Sequence, residues 1–140
     1  MKTINVFADG GARGNPGPAA IGVYITDQNG TMLTGFGKKI GTTTNNVAEY
    51  KAVLAALTWL LENRERITQD TKISFFLDSQ LVVMQLTGAY KVKNAALREL
   101  FFTIHVKESE LGLPVYYNHI PREKNQNADR FVNLALDNKD

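Results

Sequence analysis

At 140 residues, with 44% apolar and 21% charged side chains, the chain has the make-up of one soluble domain (1–140) built on a single core. It has no cysteine, which excludes disulfides and thiolate metal sites, and it has neither an apolar run of membrane-spanning length nor the apolar stretch of a signal peptide, so a cytoplasmic location without membrane association is expected. A net charge of +2 is too small for broad electrostatic capture of a polyanion, so any nucleic-acid binding has to rest on a local basic patch.

Thr3 to Asp9 alternates as a strand, with Ile4, Val6 and Ala8 on one side and Asn5, Phe7 and Asp9 on the other. The glycine- and proline-rich run from Gly10 to Pro18 reads as a loop. Ala20–Thr26 and Thr31–Ile40 are two further strands joined by an Asn29-Gly30 hairpin signal, giving an antiparallel meander. The period then changes. Tyr50, Leu54, Leu57 and Leu61 recur at helical spacing and predict a helix from Asn46 to about Arg66. Lys72–Leu77 is a buried strand, Ser79–Leu86 a short helix, and Asn94–Leu111 a second long helix ended by Gly112 and Pro114. Val115–Ile120 is a fifth strand and Asn127–Leu136 a last helix. A meander followed by alternating units implies an α/β fold, a five-stranded mixed sheet flanked by helices. Trp59 and the phenylalanines read as core, and His105 as a partly exposed surface residue.

Four carboxylates, Asp9, Glu49, Asp78 and Asp129, fall at strand ends or helix starts. Three of them have an ordinary structural explanation. Glu49 completes an Asn46-to-Glu49 capping-box variant, Asp78 precedes a helix it could cap, and Asp129 sits where a helix dipole favours a negative charge. Asp9 faces away from the core side of its strand, and a following Gly-Gly does not require a carboxylate. In a mixed sheet the first and fourth strand ends can lie side by side. Carboxylates gathered there repel one another unless cations neutralise them. An all-oxygen donor set without His or Cys points to Mg²⁺ or Mn²⁺, and a pair of such ions roughly 4 Å apart is suited to in-line phosphodiester displacement.

The segments around these residues resemble the ribonuclease H family. Phe7 to Pro18 (FADGGARGNPGP) is similar to its opening motif, Thr43 to Glu49 (TTNNVAE) to its second, Asp78-Ser79-Gln80-Leu81-Val82 to its third, and Asn125 to Asp129 (NQNAD) to its fourth. The resemblance covers nearly the whole chain in the family's order. It implies a type 1 ribonuclease H: an endoribonuclease, acting as a monomer, that cuts the RNA strand of RNA·DNA hybrids and leaves 5′-phosphate and 3′-hydroxyl ends. It implies two Mg²⁺ ions, with Mn²⁺ as a substitute, held by Asp9 as the bridging ligand, by Glu49 and Asp78 on one ion and by Asp129 on the other. Asn15, Asn46 and Gln80 would read 2′-hydroxyls and base edges, with Gly14 bringing backbone close to the minor groove, while Thr44 and Asn45 would meet the DNA strand. For Asn45 and Asn46 helix capping is an equal alternative. Double-stranded RNA shares the wide minor groove and the 2′-hydroxyls, so it is a second candidate substrate. A non-catalytic hybrid-binding module is the rival reading, and the presence of all four carboxylates favours the enzyme.

Two departures from the family pattern narrow the expectation. The interval Ala89–Asn94 leaves no room for the basic helical protrusion of some relatives, so the chain is a compact form whose basic remnant is Lys91 and Lys93. Many relatives also carry a catalytic histidine in a flexible loop before the last carboxylate. Counted back from Asp129, His119 aligns with that loop histidine, but it falls at the end of a predicted strand, which favours a strand-end role, and the loop after it offers Arg122, a phosphate-binding side chain.

Overall fold

The computed structural model describes residues 2–139. Three strands come first, β1 (Lys2–Ala12), β2 (Gly17–Thr26) and β3 (Met32–Thr43), followed by helix α1 (Asn45–Glu62), strand β4 (Thr71–Leu77), helices α2 (Gln80–Leu86) and α3 (Ala95–Leu111), strand β5 (Val115–His119) and helix α4 (Gln126–Leu136). The sheet order is β3-β2-β1-β4-β5; β2 is antiparallel to both neighbours, while β4 is parallel to β1 and to β5. The expected mixed five-stranded sheet is therefore present, and among the described residues no helix is long and apolar enough to cross a membrane.

The two faces of the sheet are built differently. Val6, Ala8, Ile21, Val23, Ile25, Ile73, Phe75 and Leu77 bury against the α1 and α3 side, where Tyr50, Leu57, Leu60 and Ile104 meet them. Each of the valine, leucine, isoleucine and phenylalanine side chains among them contributes about 1.5–3 kcal/mol on burial. The opposite face carries a small cluster, Ala20, Val132 and Ala135, beneath α4. There the floor is glycine: a Cβ on Gly22 would lie 2.0 Å from the Ala128 carbonyl oxygen, and one on Gly37 2.2 Å from that of Phe131. The missing side chains let α4 lie directly on the strands.

Several boundaries differ from the sequence expectation. β1 does not stop at Asp9 but runs to Ala12, and β2 begins at Gly17, so the loop is only Arg13 to Pro16. Gly10 and Gly11 pair with Ile21 and Ala20 as strand residues. Gly10 serves close packing: its Cβ would sit 2.1 Å from the Ala48 backbone carbon of α1. The first long helix starts at Asn45 and ends at Glu62, with Arg64–Arg66 forming a separate 3-10 turn. Phe102 is 70% exposed on α3, contrary to the reading of every phenylalanine as core.

Candidate functional site

β1 and β4 lie side by side in parallel, and their register is recorded through Phe7 and Phe76. Two residues further along each strand stand Asp9 and Asp78, which places both carboxylates at the carboxyl end of the sheet centre. Glu49 enters from the second turn of α1, brought in by the contact of Ala48 and Glu49 backbone with Gly10. Asp9, Glu49 and Asp78 each offer an oxygen such that these atoms lie within 4.8 Å of one another. Asp129 comes from the first turn of α4 and borders the same cleft without joining this cluster of three.

The caps decide two of the structural alternatives. Thr44 caps α1, its hydroxyl accepting from the Val47 amide at 3.3 Å, so Glu49 is no capping-box partner and neither Asn45 nor Asn46 is the cap. Ser79 caps α2 in the same way through the Val82 amide, which leaves Asp78 without a capping role. Asp129 does lie in the first turn of α4, where the helix dipole favours it.

Burial sets the electrostatics. Asp9 and Glu49 are both 7% exposed. Desolvation first, and then the charge of Asp78, push the Asp9 carboxyl up to about 8. Desolvation and the neighbouring Asp9 raise Glu49 well above the ordinary carboxylate range. Glu49 Oε2 is buried without a hydrogen-bond partner. The ion pairs among the described residues join Arg13 to Asp137, His105 to Glu108 and Arg122 to Asp129, and none includes a member of the cluster. Three crowded hard oxygen donors, Asp9 and Glu49 buried and Asp78 half-buried, without a cationic partner among the described residues, fit a divalent metal ion.

Around the cluster lies a cleft of ≈ 540 Å³, lined also by Gly10 to Arg13, Asn45, Arg122, Asp129 and Asn133. The short β1–β2 loop forms its rim. Gly14 has φ +102, a conformation that favours glycine. Asn15 Oδ1 accepts from the Asn45 amide at 2.9 Å, and Asn45 Oδ1 accepts from the Ala12 amide at 2.9 Å. With both carbonyls committed to backbone donors, the two exposed side chains are left with their NH₂ groups to offer a ligand. Arg13 is tied to Asp137 at 2.7 Å. The Thr44 hydroxyl is taken by its cap, Asn46 is half-buried, and Gln80 is exposed at the start of α2. Of the residues expected at the site, Asn45 and Arg122 line the cleft with the four carboxylates, whereas Gly14, Asn15, Thr44, Asn46, Gln80 and His119 do not.

His119 is the exposed last residue of β5, paired with Leu77 in register, so the expected strand-end position holds. The following Arg122–Lys124 segment is a 3-10 turn, and Arg122 Nη2 reaches Asp129 Oδ1 at 3.8 Å. Between α2 and α3 only Thr87 to Asn94 intervene, which leaves no space for an inserted helix. The sequence reading missed one buried polar residue here. Asn125, 1% exposed, spends its side chain on Ala8 and Asp78 and not on a cap.

Comparison with known proteins now bears on this geometry. The reverse transcriptase-like family matches residues 7–135. LC11-RNase H1, isolated from compost by a metagenomic approach, is 46% identical and superposes with a TM-score of 0.93, covering 99% of this chain and 98% of that one. This chain belongs to the type 1 ribonuclease H family. A second structure of LC11-RNase H1, in complex with an RNA/DNA hybrid, superposes with a TM-score of 0.91 over 96% of this chain and 97% of that one. Ribonuclease HI of Halobacterium salinarum is 38% identical over 135 residues, covering 96% of this chain and 64% of that protein. A bifunctional protein of Mycobacterium tuberculosis is 38% identical over 138 residues, which are 98% of this chain. The chain spans 36% of the length of that mycobacterial relative.

Proposed function

We propose that this chain is an endoribonuclease that hydrolyses the RNA strand of RNA·DNA hybrids, leaving 5′-phosphate and 3′-hydroxyl ends. The observation that carries the reading is the group Asp9, Glu49 and Asp78, the first two buried and the third half-buried, with oxygens within 4.8 Å of one another. Carboxylates so placed are costly without cations, and nothing in the packing requires all three. Family membership and the hybrid complex of LC11-RNase H1 support the choice of substrate.

Asp9, Glu49 and Asp78 would hold a divalent cation, and Asp129, which borders the same cleft, would help hold a second. When bound, two Mg²⁺ ions, or Mn²⁺ in their place, supply charge neutralisation and Lewis acidity for an in-line phosphodiester displacement. The protein's own residues grip and orient. Asn15, Asn46 and Gln80 read 2′-hydroxyls and base edges in the minor groove, Gly14 lets the loop backbone approach, and Thr44 and Asn45 meet the DNA strand. Arg122 exchanges its loose contact with Asp129 for a phosphate of the substrate through its planar donor fork. His119, fixed in the sheet, takes no part in proton transfer. The cleft is completed by one chain, so a monomer suffices, and a cytoplasmic location agrees with a chain free of cysteine.

With no basic protrusion and a net charge of +2, the grip on the hybrid is weak and dominated by phosphates. Neutralising about four of them gives a log affinity that falls with log salt at a slope of about −3 to −4. Fluorescence anisotropy across a salt series checks this, and a flat response rules out the contact scheme. The function itself is tested by one cleavage assay on labelled hybrid, duplex RNA and duplex DNA, with and without Mg²⁺ or Mn²⁺. Cation-dependent cutting of the RNA strand of the hybrid is expected. Cutting of duplex RNA as well would widen the substrate class, while binding without cleavage of any substrate would make the chain a hybrid-binding module.

A further inference from the structure

The hydrogen-bonded register of β1 and β4 ends at Phe7 and Phe76, after which the two strands carry Asp9 and Asp78 toward the cleft. On its other side β4 stays paired with β5 through Leu77, whose carbonyl accepts from the Ile120 amide at 2.9 Å. The Asn125 side chain bridges the two strands just past the last rung. Its Nδ2 donates to the Ala8 carbonyl at 3.0 Å and to Asp78 Oδ2 at 3.2 Å. One amide nitrogen thus holds the backbone immediately before one carboxylate and the oxygen of the other. Asn125 stands at the N-terminal boundary of α4 yet makes no side-chain capping bond, and it is 1% exposed with Oδ1 lacking a partner. An amide buried at that cost, and withheld from a cap, is explained by what its nitrogen does. The orientation is fixed by chemistry, because turning the amide over would set Oδ1 against two acceptors.

We propose that Asn125 is a positioning residue for divalent-cation binding: it fixes the Asp78 carboxylate relative to Asp9 by serving as a side-chain rung between β1 and the end of β4. The inference rests on reading the carboxylate cluster as the cation site. It makes the Asn of the last motif part of the cluster's geometry and α4 a support for Asp78 as well as the carrier of Asp129. Asn125→Ala removes the rung. Asn125→Asp keeps the shape but places oxygen against the Ala8 carbonyl and the Asp78 carboxylate, so it should be the worse of the two.

The test is calorimetric titration of Mn²⁺ into wild type, Asn125→Ala, Asn125→Asp and Asn125→Gln, each first shown to be folded by circular dichroism, with hybrid cleavage measured beside it. Mn²⁺ affinity is expected to fall about tenfold in Asn125→Ala and further in Asn125→Asp. The loss in cleavage should appear in kcat and in the Mn²⁺ concentration required, with KM for the hybrid within about twofold of wild type. Asn125→Gln, which retains the donor on a longer arm, should recover part of the affinity. Should Asn125→Asp not fold, Asn125→Ala and Asn125→Gln carry the comparison. If both fail to fold, Asn125→Ser at low temperature takes their place and must show the same weakened affinity. A variant that melts earlier but binds Mn²⁺ as wild type does, with unchanged kcat, would overturn the proposal by reducing Asn125 to a structural residue. Failure of wild type itself to bind Mn²⁺ would instead overturn the cation-site reading on which it rests.

Discussion

The two flanks of the cleft solve different problems. On one, Asp9 and Glu49 are 7% exposed and crowd Asp78, with oxygens within 4.8 Å and no protein cation paired to them. On the other, Asp129 is 34% exposed and faces an arginine that is itself 82% exposed, at the loose distance of 3.8 Å. The buried flank stores electrostatic repulsion in a rigid frame of strand ends and a helix turn. The exposed flank is solvated, screened and free to rearrange, and its ion pair is worth little to stability. The difference teaches where the cation requirement originates. It originates at Asp9 and Glu49, which burial cuts off from water, with the half-buried Asp78 and the more exposed Asp129 both adding to the load on Asp9.

The largest expected effect lies on the buried flank. Asp9→Asn or Asp78→Asn should lower hybrid cleavage by about 10³-fold or more, with the circular dichroism spectrum unchanged. Asp129→Asn should cost less, about 10- to 100-fold, because an exposed ligand is more readily replaced by solvent. Single-turnover rates on a labelled hybrid check both, and equal losses for Asp9→Asn and Asp129→Asn would erase the distinction between the flanks. The glycine contacts separate the flanks in another way. Gly10→Ala and Gly22→Ala should each destabilise by about 1–3 kcal/mol, since a Cβ would meet α1 or α4 backbone. In the folded variants only Gly10→Ala, which displaces Glu49, should strongly weaken Mn²⁺ binding; the reverse order would mean that α4 supplies the principal ligand. The smallest effect concerns the rim. Arg122→Ala should slow turnover by about tenfold and His119→Ala by less than about twofold. A hundredfold loss in His119→Ala beside a near-normal Arg122→Ala would give the histidine the role assigned here to the arginine.

The order of elements was readable because hydrophobic period changes with secondary structure, and the alternation of Ile4, Val6 and Ala8 against Phe7 and Asp9 correctly divides the two faces of β1. The carboxylates were readable by position in their motifs. What misled was glycine. Gly10 and Gly11 carry the local signature of a turn, but their use is tertiary: α1 occupies the space of a Cβ on Gly10, and Val132 of α4 lies 3.6 Å from one on Gly11. A one-dimensional pattern holds no trace of a helix approaching from elsewhere in the chain. The caps were displaced by a residue or two for a similar reason. Thr44, Asn45 and Asn46 are all competent caps, and the choice of Thr44 leaves Asn45 to accept from Ala12 at the end of β1. Asn125 stands in the fourth motif, but its role was not legible there because its partners Ala8 and Asp78 are remote in sequence.

The measurement that bears most directly on the buried carboxylates is the melting temperature of wild type from about pH 5 to 9, in EDTA and in Mn²⁺, with Asp9→Asn beside it. The folded-state pKa of Asp9, about 8, lies above the ordinary value of about 3.9. The folded protein therefore holds this proton more tightly than the unfolded chain does. Its contribution to stability is complete below about pH 4 and is lost as the pH rises through about 8. In EDTA the wild-type melting temperature should fall across this range relative to Asp9→Asn, whose side chain does not ionise, so the variant should be the more stable protein at pH 9. Mn²⁺ should remove most of that deficit in wild type and do much less for the variant. Parallel curves for the two proteins in EDTA, or a wild-type curve that Mn²⁺ leaves unmoved at pH 8–9, would contradict the claim that the three carboxylates form a cation-demanding centre.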